Sequence, residues 1–284
     1  MSLVILDLEW NTAFCKPLKK YVNEIVEFGA VKLDKSLNVV DTFSTLVKPT
    51  VAKSVHPQVK KLINISFEEI KSAPETFPYV MDRFAQFLGD STLLTWSNTD
   101  LHTLIDNCEL HYMNENLPFV KSFCDLQKYC EYSLGVSSAS RMLGLSACAQ
   151  VLGFVEGENQ THRALSDVML SLKCLKALYN RRHFEEFIEV CDEEFYKKLK
   201  FKNKYITNIN NPNIDREQLH FDCPECNVRC VRKSKWSKQN NSMQAFFVCP
   251  ECKQSYMGRV QAKLKYEGVV ISKRLTTSKS KSDE

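Results

Sequence analysis

Apolar positions recur along the chain with two different periods, and the switch between them marks out the elements. Residues 3–8 (LVILDL) form a short apolar run of the kind a buried strand shows. Residues 25–33 (IVEFGAVKL) and 37–47 are rich in β-branched and aromatic side chains, and the polar Asp-Lys-Ser between them predicts a hairpin. Val59, Leu62 and Ile63 follow helical spacing within residues 56–65, and Ser66-Phe-Glu-Glu69 has the spacing of a capping box. Val80, Met81, Phe84, Phe87 and Leu88 line up on one face over residues 77–88, a helix closed by Gly89. Residues 92–96 read as a fourth strand, 100–112 as a helix and 123–126 as a fifth strand. Helical patterns follow at 127–132, 145–152 and 163–179, and Phe184, Phe187, Ile188, Cys191, Phe195 and Leu199 keep the same register in one more. Three strands of antiparallel type followed by alternating helix and strand predict a mixed α/β sheet with helices on its faces.

Composition narrows the class. Of 284 residues, 44% are hydrophobic and 25% charged, which is ordinary globular usage and excludes disorder throughout. At roughly 150 residues per domain, one large and one small domain are expected. No window approaches the ~20 apolar residues of a membrane helix. The N-terminus has no basic region and carries Asp7 and Glu9, so it does not read as a secretory signal, and a cytoplasmic protein is expected.

The net charge of +4 hides an asymmetry. Residues 202–284 hold 16 Lys+Arg and 8 Asp+Glu, a net of +8, whereas residues 1–201 hold 22 and 26, a net of −4. Together with composition this divides the chain into a first domain at 1–201 and an asparagine-rich linker at 202–217. A basic module follows at 218–271, then a Ser/Thr/Lys-rich tail at 272–284 that is expected to be disordered.

Carboxylates carry the first chemical signal. Asp7 and Glu9 are two apart on the first strand, so both leave the same sheet face. A carboxylate pair ending an apolar strand is expensive to bury without a compensating cation. Asp100 follows the 92–96 strand near a helix start, and Asp167 lies in the helix that opens after His162. Oxygen ligands of this kind suit Mg²⁺ or Mn²⁺ better than Zn²⁺. Four of them together fit two-metal phosphodiester hydrolysis, with His162 placed to take a proton from water. Taken singly, Asp100 also reads as a helix cap and Asp167 as a solvated helix residue.

Taken in order, D-L-E at 7–9, W-S-N-T-D at 96–100 and H-R-A-L-S-D at 162–167 resemble the DnaQ-like, DEDDh-type 3′–5′ exonucleases. The resemblance covers about residues 1–180, and D-L-E-W-N is closest to the KapD-like and small-RNA-trimming branch. It implies an RNase H-like mixed sheet flanked by helices, with Asp7, Glu9, Asp100 and Asp167 holding two Mg²⁺ or Mn²⁺ and His162 as the general base. It also implies hydrolysis from the 3′ end of single-stranded nucleic acid, with RNA favoured over DNA. Trp10 and Phe14 either stack on terminal bases or pack in the core. The alternatives are a DNA-proofreading subunit or a nucleic-acid-binding adaptor that uses the fold as scaffold.

Twelve cysteines divide the same way as the charge. Cys15, Cys108, Cys124, Cys130, Cys148, Cys174 and Cys191 sit among apolar residues and read as small buried hydrophobes. Cys223-Pro-Glu-Cys226 and Cys249-Pro-Glu-Cys252 are identical knuckles 22 residues apart. Two such turns complete a tetrahedral thiolate site, so a zinc-ribbon module with one structural Zn²⁺ is expected; duplication argues against a redox pair. Cys230 and His220 are left out of the ligand set. Arg232, Lys233, Lys235 and Trp236 between the knuckles suit a phosphate backbone with stacking bases, protein docking being the rival use.

Overall fold

A computed structural model describes residues 2–57, 59, 65–111, 113–114, 116–136, 142–154 and 163–277. The chain divides into two compact units, Met1–Leu199 and Lys200–Glu284. Among the described residues no helix is long and apolar enough to cross a membrane.

The first unit is built on a six-stranded sheet. Its strands are β1 (Leu3–Cys15), β2 (Lys20–Leu33), β3 (Val39–Leu46), β4 (Thr92–Thr95), β5 (Ser122–Asp125) and β6 (Ile188–Val190). Their order is β3-β2-β1-β4-β5-β6. The pairs β1–β2, β2–β3 and β5–β6 are antiparallel, while β1–β4 and β4–β5 are parallel. The helices are α1 (Phe67–Lys71), α2 (Phe77–Leu88), α3 (Thr99–Leu110), α4 (Leu126–Ser133), α5 (Leu145–Val151), α6 (Ala164–Leu178), α7 (Arg181–Glu185) and α8 (Glu193–Lys200). This is the mixed, helix-flanked sheet expected of an RNase H-like fold. The Ser66/Glu69 capping box opens α1 as predicted.

The N-terminal run of β1 is apolar on both faces because both are covered. Val4, Leu6 and Leu8 enter one core with Phe77, Phe84 and Leu104, whereas Leu3 and Ile5 enter the other with Tyr129, Val168 and Leu175.

Two expectations for the first unit change, and a third is not described. The single helix expected over residues 184–199 is instead α7, the short strand β6 and α8. Ile188 and Val190 pair with β5, and the Asp192 carboxylate restarts the helix by accepting from the Phe195 N–H (2.8 Å). The hairpin of β1 and β2 is also much longer than residues 3–8 suggest, because its outer half mixes polar and apolar residues without a continuous apolar run. The helix read at 56–65 falls largely on residues 58 and 60–64, outside the described residues.

The second unit holds a sheet in the order β12-β11-β10-β8, made of β8 (Val231–Arg232), β10 (Ser242–Val248), β11 (Ser255–Lys265) and β12 (Gly268–Thr277). Two short strands, β7 (Lys204–Ile206) and β9 (Ser237–Gln239), pair with β11 and β10. The segment read as a linker, 202–217, therefore contributes a strand. Its Ile206 and Ile214 are buried with Leu219 and Phe221 in the core of this unit, where apolar burial outweighs the polar composition. Residues 272–277 of the expected tail complete β12, and residues 278–284 lie outside the described residues.

Candidate active site and thiol cluster

Side-chain alternation along β1 sends Asp7 and Glu9 to the face shared by Leu3 and Ile5, the face that α6 covers. Gly29 lies opposite Asp7 on β2, and α6 rests directly on it. A Cβ added at Gly29 would lie 2.3 Å from the Leu165 nitrogen and 2.4 Å from the Ala164 carbonyl carbon, so only glycine admits the helix this close. The first turn of α6 thereby brings Asp167 to the β1 pair. Asp7, Glu9 and Asp167 each offer one oxygen, and these oxygens lie within 4.8 Å of one another. Asp100, in the first turn of α3, is 4% exposed, and its Oδ1 accepts from the Leu8 N–H (3.2 Å). The turn that delivers it passes through Ser97 at φ +76°, a conformation rare outside glycine and often found at functional sites. The four carboxylates and Trp10, Trp96 and Leu145 line an open cavity of about 410 Å³.

Burial, then mutual repulsion, pushes three of these acids, Asp7, Glu9 and Asp100, upward. The Asp7 carboxyl is held well above the usual range by desolvation and by Asp100, Asp167 and Glu9. Desolvation raises Glu9 to about 8, aided by Asp167 and Glu27 and opposed by Arg163. Desolvation raises Asp100 to about 7 against the hydrogen bond from Leu8. Ionising them all together requires a positive charge in their midst. The donors are carboxylate oxygens, with no sulfur or imidazole in the cluster among the described residues, so the set fits a hard divalent cation.

The model of a family described as Exonuclease (RNase_T) matches residues 4–175, which include all four acids. The chain belongs to this exonuclease family. It is 27% identical over 196 residues to the probable 3′–5′ exonuclease KapD of Bacillus subtilis (strain 168), covering 65% of this chain and 88% of that protein. It is 30% identical over 169 residues to a putative bifunctional exonuclease/endonuclease of Mycobacterium tuberculosis (strain CDC 1551 / Oshkosh), 55% of this chain but 23% of that protein. In fold it is similar to the nuclease domain of 3′hExo, a DEDDh family member solved with rAMP bound (TM-score 0.51, 21% identity, 61% of this chain and 90% of that one). It is also similar to Escherichia coli Exonuclease I in complex with a dA16 oligonucleotide (TM-score 0.50, 14% identity, 93% and 55%). The protein is thus an exonuclease with a probable 3′–5′ exonuclease among its relatives.

The acid cluster also has supports that the motifs alone do not reveal. Glu27 lies opposite Glu9 on β2 and is 3% exposed at its side chain. Its carboxylate receives Nε and Nη2 of Arg163 at 2.8–3.1 Å and the backbone N–H of Ala164 at 3.3 Å. This bidentate pair fixes the residue that precedes α6, one position after His162. A lone acid in the apolar run 25–33 was the available signal for it. Trp96 was likewise unassigned; its Nε1–H donates to the Leu143 carbonyl (3.3 Å), which holds the indole at the cavity.

Trp10 lines the cavity while packing on the adjoining core. Phe14 does not line it. Four residues beyond Trp10 along β1, Phe14 is half exposed and sits edge-on to Tyr21 (5.3 Å) in a separate hollow of the hairpin. His162 lies outside the described residues.

The contact at Gly29 yields a direct test. Gly29→Ala forces the start of α6 off the sheet and carries Asp167 away from Asp7. A displacement near 1 Å is expected to lower kcat by about 10²-fold in a protein that still melts cooperatively. Wild-type kcat in this variant would show that α6 does not set the site.

In the second unit, Cys223, Cys226, Cys249 and Cys252 bring their sulfurs within 4.8 Å of one another. Cys223 and Cys252 are 3.7 Å apart. A tetrahedron with the ~2.3 Å zinc–sulfur bond has an edge of about 3.8 Å, so the spacing fits that ion. The Tyr256 hydroxyl lies 3.2 Å from the Cys223 sulfur, and this contact draws the thiol down to about 6, towards the ligating thiolate form. Cys230 is buried in the core of the unit, outside the four, and desolvation raises it to about 11. Arg232, Lys233 and Lys235 are exposed, whereas Trp236 is only partly exposed and packs on Phe247 (5.8 Å).

Proposed function

We propose that this exonuclease removes nucleotides from the 3′ ends of single-stranded nucleic acid, RNA in preference to DNA, with two Mg²⁺ or Mn²⁺ held by Asp7, Glu9, Asp100 and Asp167. The observation that carries the reading is the gathering of Asp7, Glu9 and Asp167 within 4.8 Å in an open cavity. Divalent ions bound there supply Lewis acidity to the scissile phosphate and offset the charge of the acids. His162 accepts the proton of the attacking water, a role drawn from the H-x4-D spacing to Asp167. The Glu27–Arg163 pair orients the chain next to that histidine, and the indoles of Trp10 and Trp96 flank the terminal base. In the second unit the four thiolates hold one structural Zn²⁺, and the exposed Arg232, Lys233 and Lys235 meet the phosphate backbone.

The RNA preference draws support from the D-L-E-W-N pattern and from the rAMP bound by the 3′hExo nuclease domain. The test is digestion of 5′-labelled single-stranded RNA and DNA side by side in Mg²⁺ and in Mn²⁺. A ladder that shortens from the 3′ end, faster on RNA, is the expected result. Equal or faster digestion of DNA overturns the sugar preference, and full activity without divalent ions overturns the role of the acids.

A further inference from the structure

The strands of the second unit carry eight Lys and Arg and no Asp or Glu. The acids of this unit among the described residues, Asp215, Glu217, Asp222, Glu225, Glu251 and Glu267, all lie outside these strands. A face that is merely solvated intersperses both signs.

Alternation along β11 divides the sheet cleanly. Tyr256, Gly258, Val260 and Ala262 are buried against the core, so Met257, Arg259, Gln261 and Lys263 share the opposite, outer face. In the ladder with β12, Arg259 stands directly opposite Arg274. Like charges in that relation destabilise a sheet. The pair shares a cavity of about 400 Å³ with Gln239, Asn240, Gln261 and Ser272, and among the described residues its lining has no carboxylate and no apolar side chain. Gln239 Oε1 accepts from Arg259 Nη2 (2.6 Å), which ties that guanidinium to the rim. A hollow furnished with guanidinium, amide and hydroxyl groups matches the oxygens of a phosphodiester.

Aromatic rings bracket the cationic strip. Phe246, opposite Met257, is 45% exposed, and Tyr205, opposite Lys263, is 41% exposed with the Lys263 ammonium 5.6 Å from its ring. The two positions are six residue steps apart on β11, about 20 Å along the strand. Charge with flanking aromatics favours a single-stranded nucleic acid over an acidic peptide or a lipid surface, since bases stack where phosphates pair.

We propose that this outer face, centred on Arg259 and Arg274, binds the backbone of the single strand whose 3′ end the first unit digests. It is a site separate from the exposed Arg232, Lys233 and Lys235. The proposal rests on the exonuclease reading for the identity of the strand.

The test is fluorescence anisotropy of full-length protein carrying Asp7→Asn, in buffer without Mg²⁺ or chelator, with 5′-labelled 20-mers of single-stranded RNA and DNA. Adding Arg259→Gln and Arg274→Gln is expected to raise Kd about tenfold and to flatten the slope of log K against log salt by about 1.4, two contacts at ~0.7 each. In otherwise wild-type protein the same pair should leave zinc content and hydrolysis of a nitrophenyl ester of a nucleotide unchanged. Unchanged Kd and salt slope overturn the site. So does loss of binding to phosphatidylserine vesicles or to a polyglutamate peptide while RNA binding stays intact. A wild-type enzyme that digests no strand, yet binds one through these arginines, removes the exonuclease reading and leaves the site standing.

Discussion

Asp7→Asn is expected to lower the rate of 3′-end digestion by at least about 10³-fold, the equivalent of roughly 4 kcal/mol of transition-state stabilisation. The same change should make the protein more stable when no divalent ion is present. Asp7 is desolvated and faces Asp100, Asp167 and Glu9, so its neutral replacement relieves repulsion in the folded state alone. Each kcal/mol relieved raises Tm by about 2–4 °C in a protein of this size.

The pH dependence carries the same signature. Glu9, at about 8, and Asp100, at about 7, titrate above their unfolded values, so the folded protein binds more protons than the unfolded one. Their contribution is complete below about pH 4 and is lost as pH rises through 7 and 8. Without divalent ions the wild-type Tm should therefore fall between pH 5 and 8, and Mg²⁺ should restore it most at the upper end. Thermal melts of both proteins with and without Mg²⁺ measure this. A variant that digests at the wild-type rate would remove the acid cluster from the chemistry.

Loss of zinc is the second large expected effect. The second unit has a small core, about a dozen buried apolar residues, and Cys223 and Cys249 are themselves part of it. A unit of this size needs a staple, and a structural zinc site contributes apparent folding free energy on the order of 10–16 kcal/mol. Elemental analysis should find about one zinc per chain in wild type and close to none in Cys249→Ser. Trp236, the one tryptophan after residue 199, packs against Phe247 and should shift its emission to the red in that variant. Hydrolysis of the nucleotide ester, which needs the first unit alone, should persist. A zinc-free protein with unshifted Trp236 emission would exclude a metal-dependent fold for this unit.

Short-range order was the legible part of the site. The two-residue step from Asp7 to Glu9 places both acids on one face of a strand whatever the rest of the chain does, and each C-P-E-C turn pairs two thiols by itself. Motifs in sequence order then sufficed for the family. Glu27 and Gly29 were not legible, because what makes them matter lies about 135 residues away. Glu27 becomes a positioning residue only when Arg163 reaches it, and Gly29 becomes indispensable only when α6 lands on it. Trp96 joins the site through the Leu143 carbonyl in the same way.

The boundaries failed for a related reason. Residues 202–217 are polar enough to read as a linker, and residues 184–199 hold an unbroken apolar register. Yet Ile206 and Ile214 were claimed by a core that forms elsewhere, and Ile188 and Val190 by the exposed edge of β5.

By itself, then, the sequence determined which chemistries the chain holds: hard oxygen donors in one half, soft sulfur donors and excess positive charge in the other. Those follow from residue type and spacing of a few positions, which local backbone geometry turns into direction. Tertiary structure alone decided which acids meet, which glycine admits the helix that joins them, and that Arg259 faces Arg274 across a ladder. Such juxtapositions depend on register and packing between distant segments, and no local period encodes them.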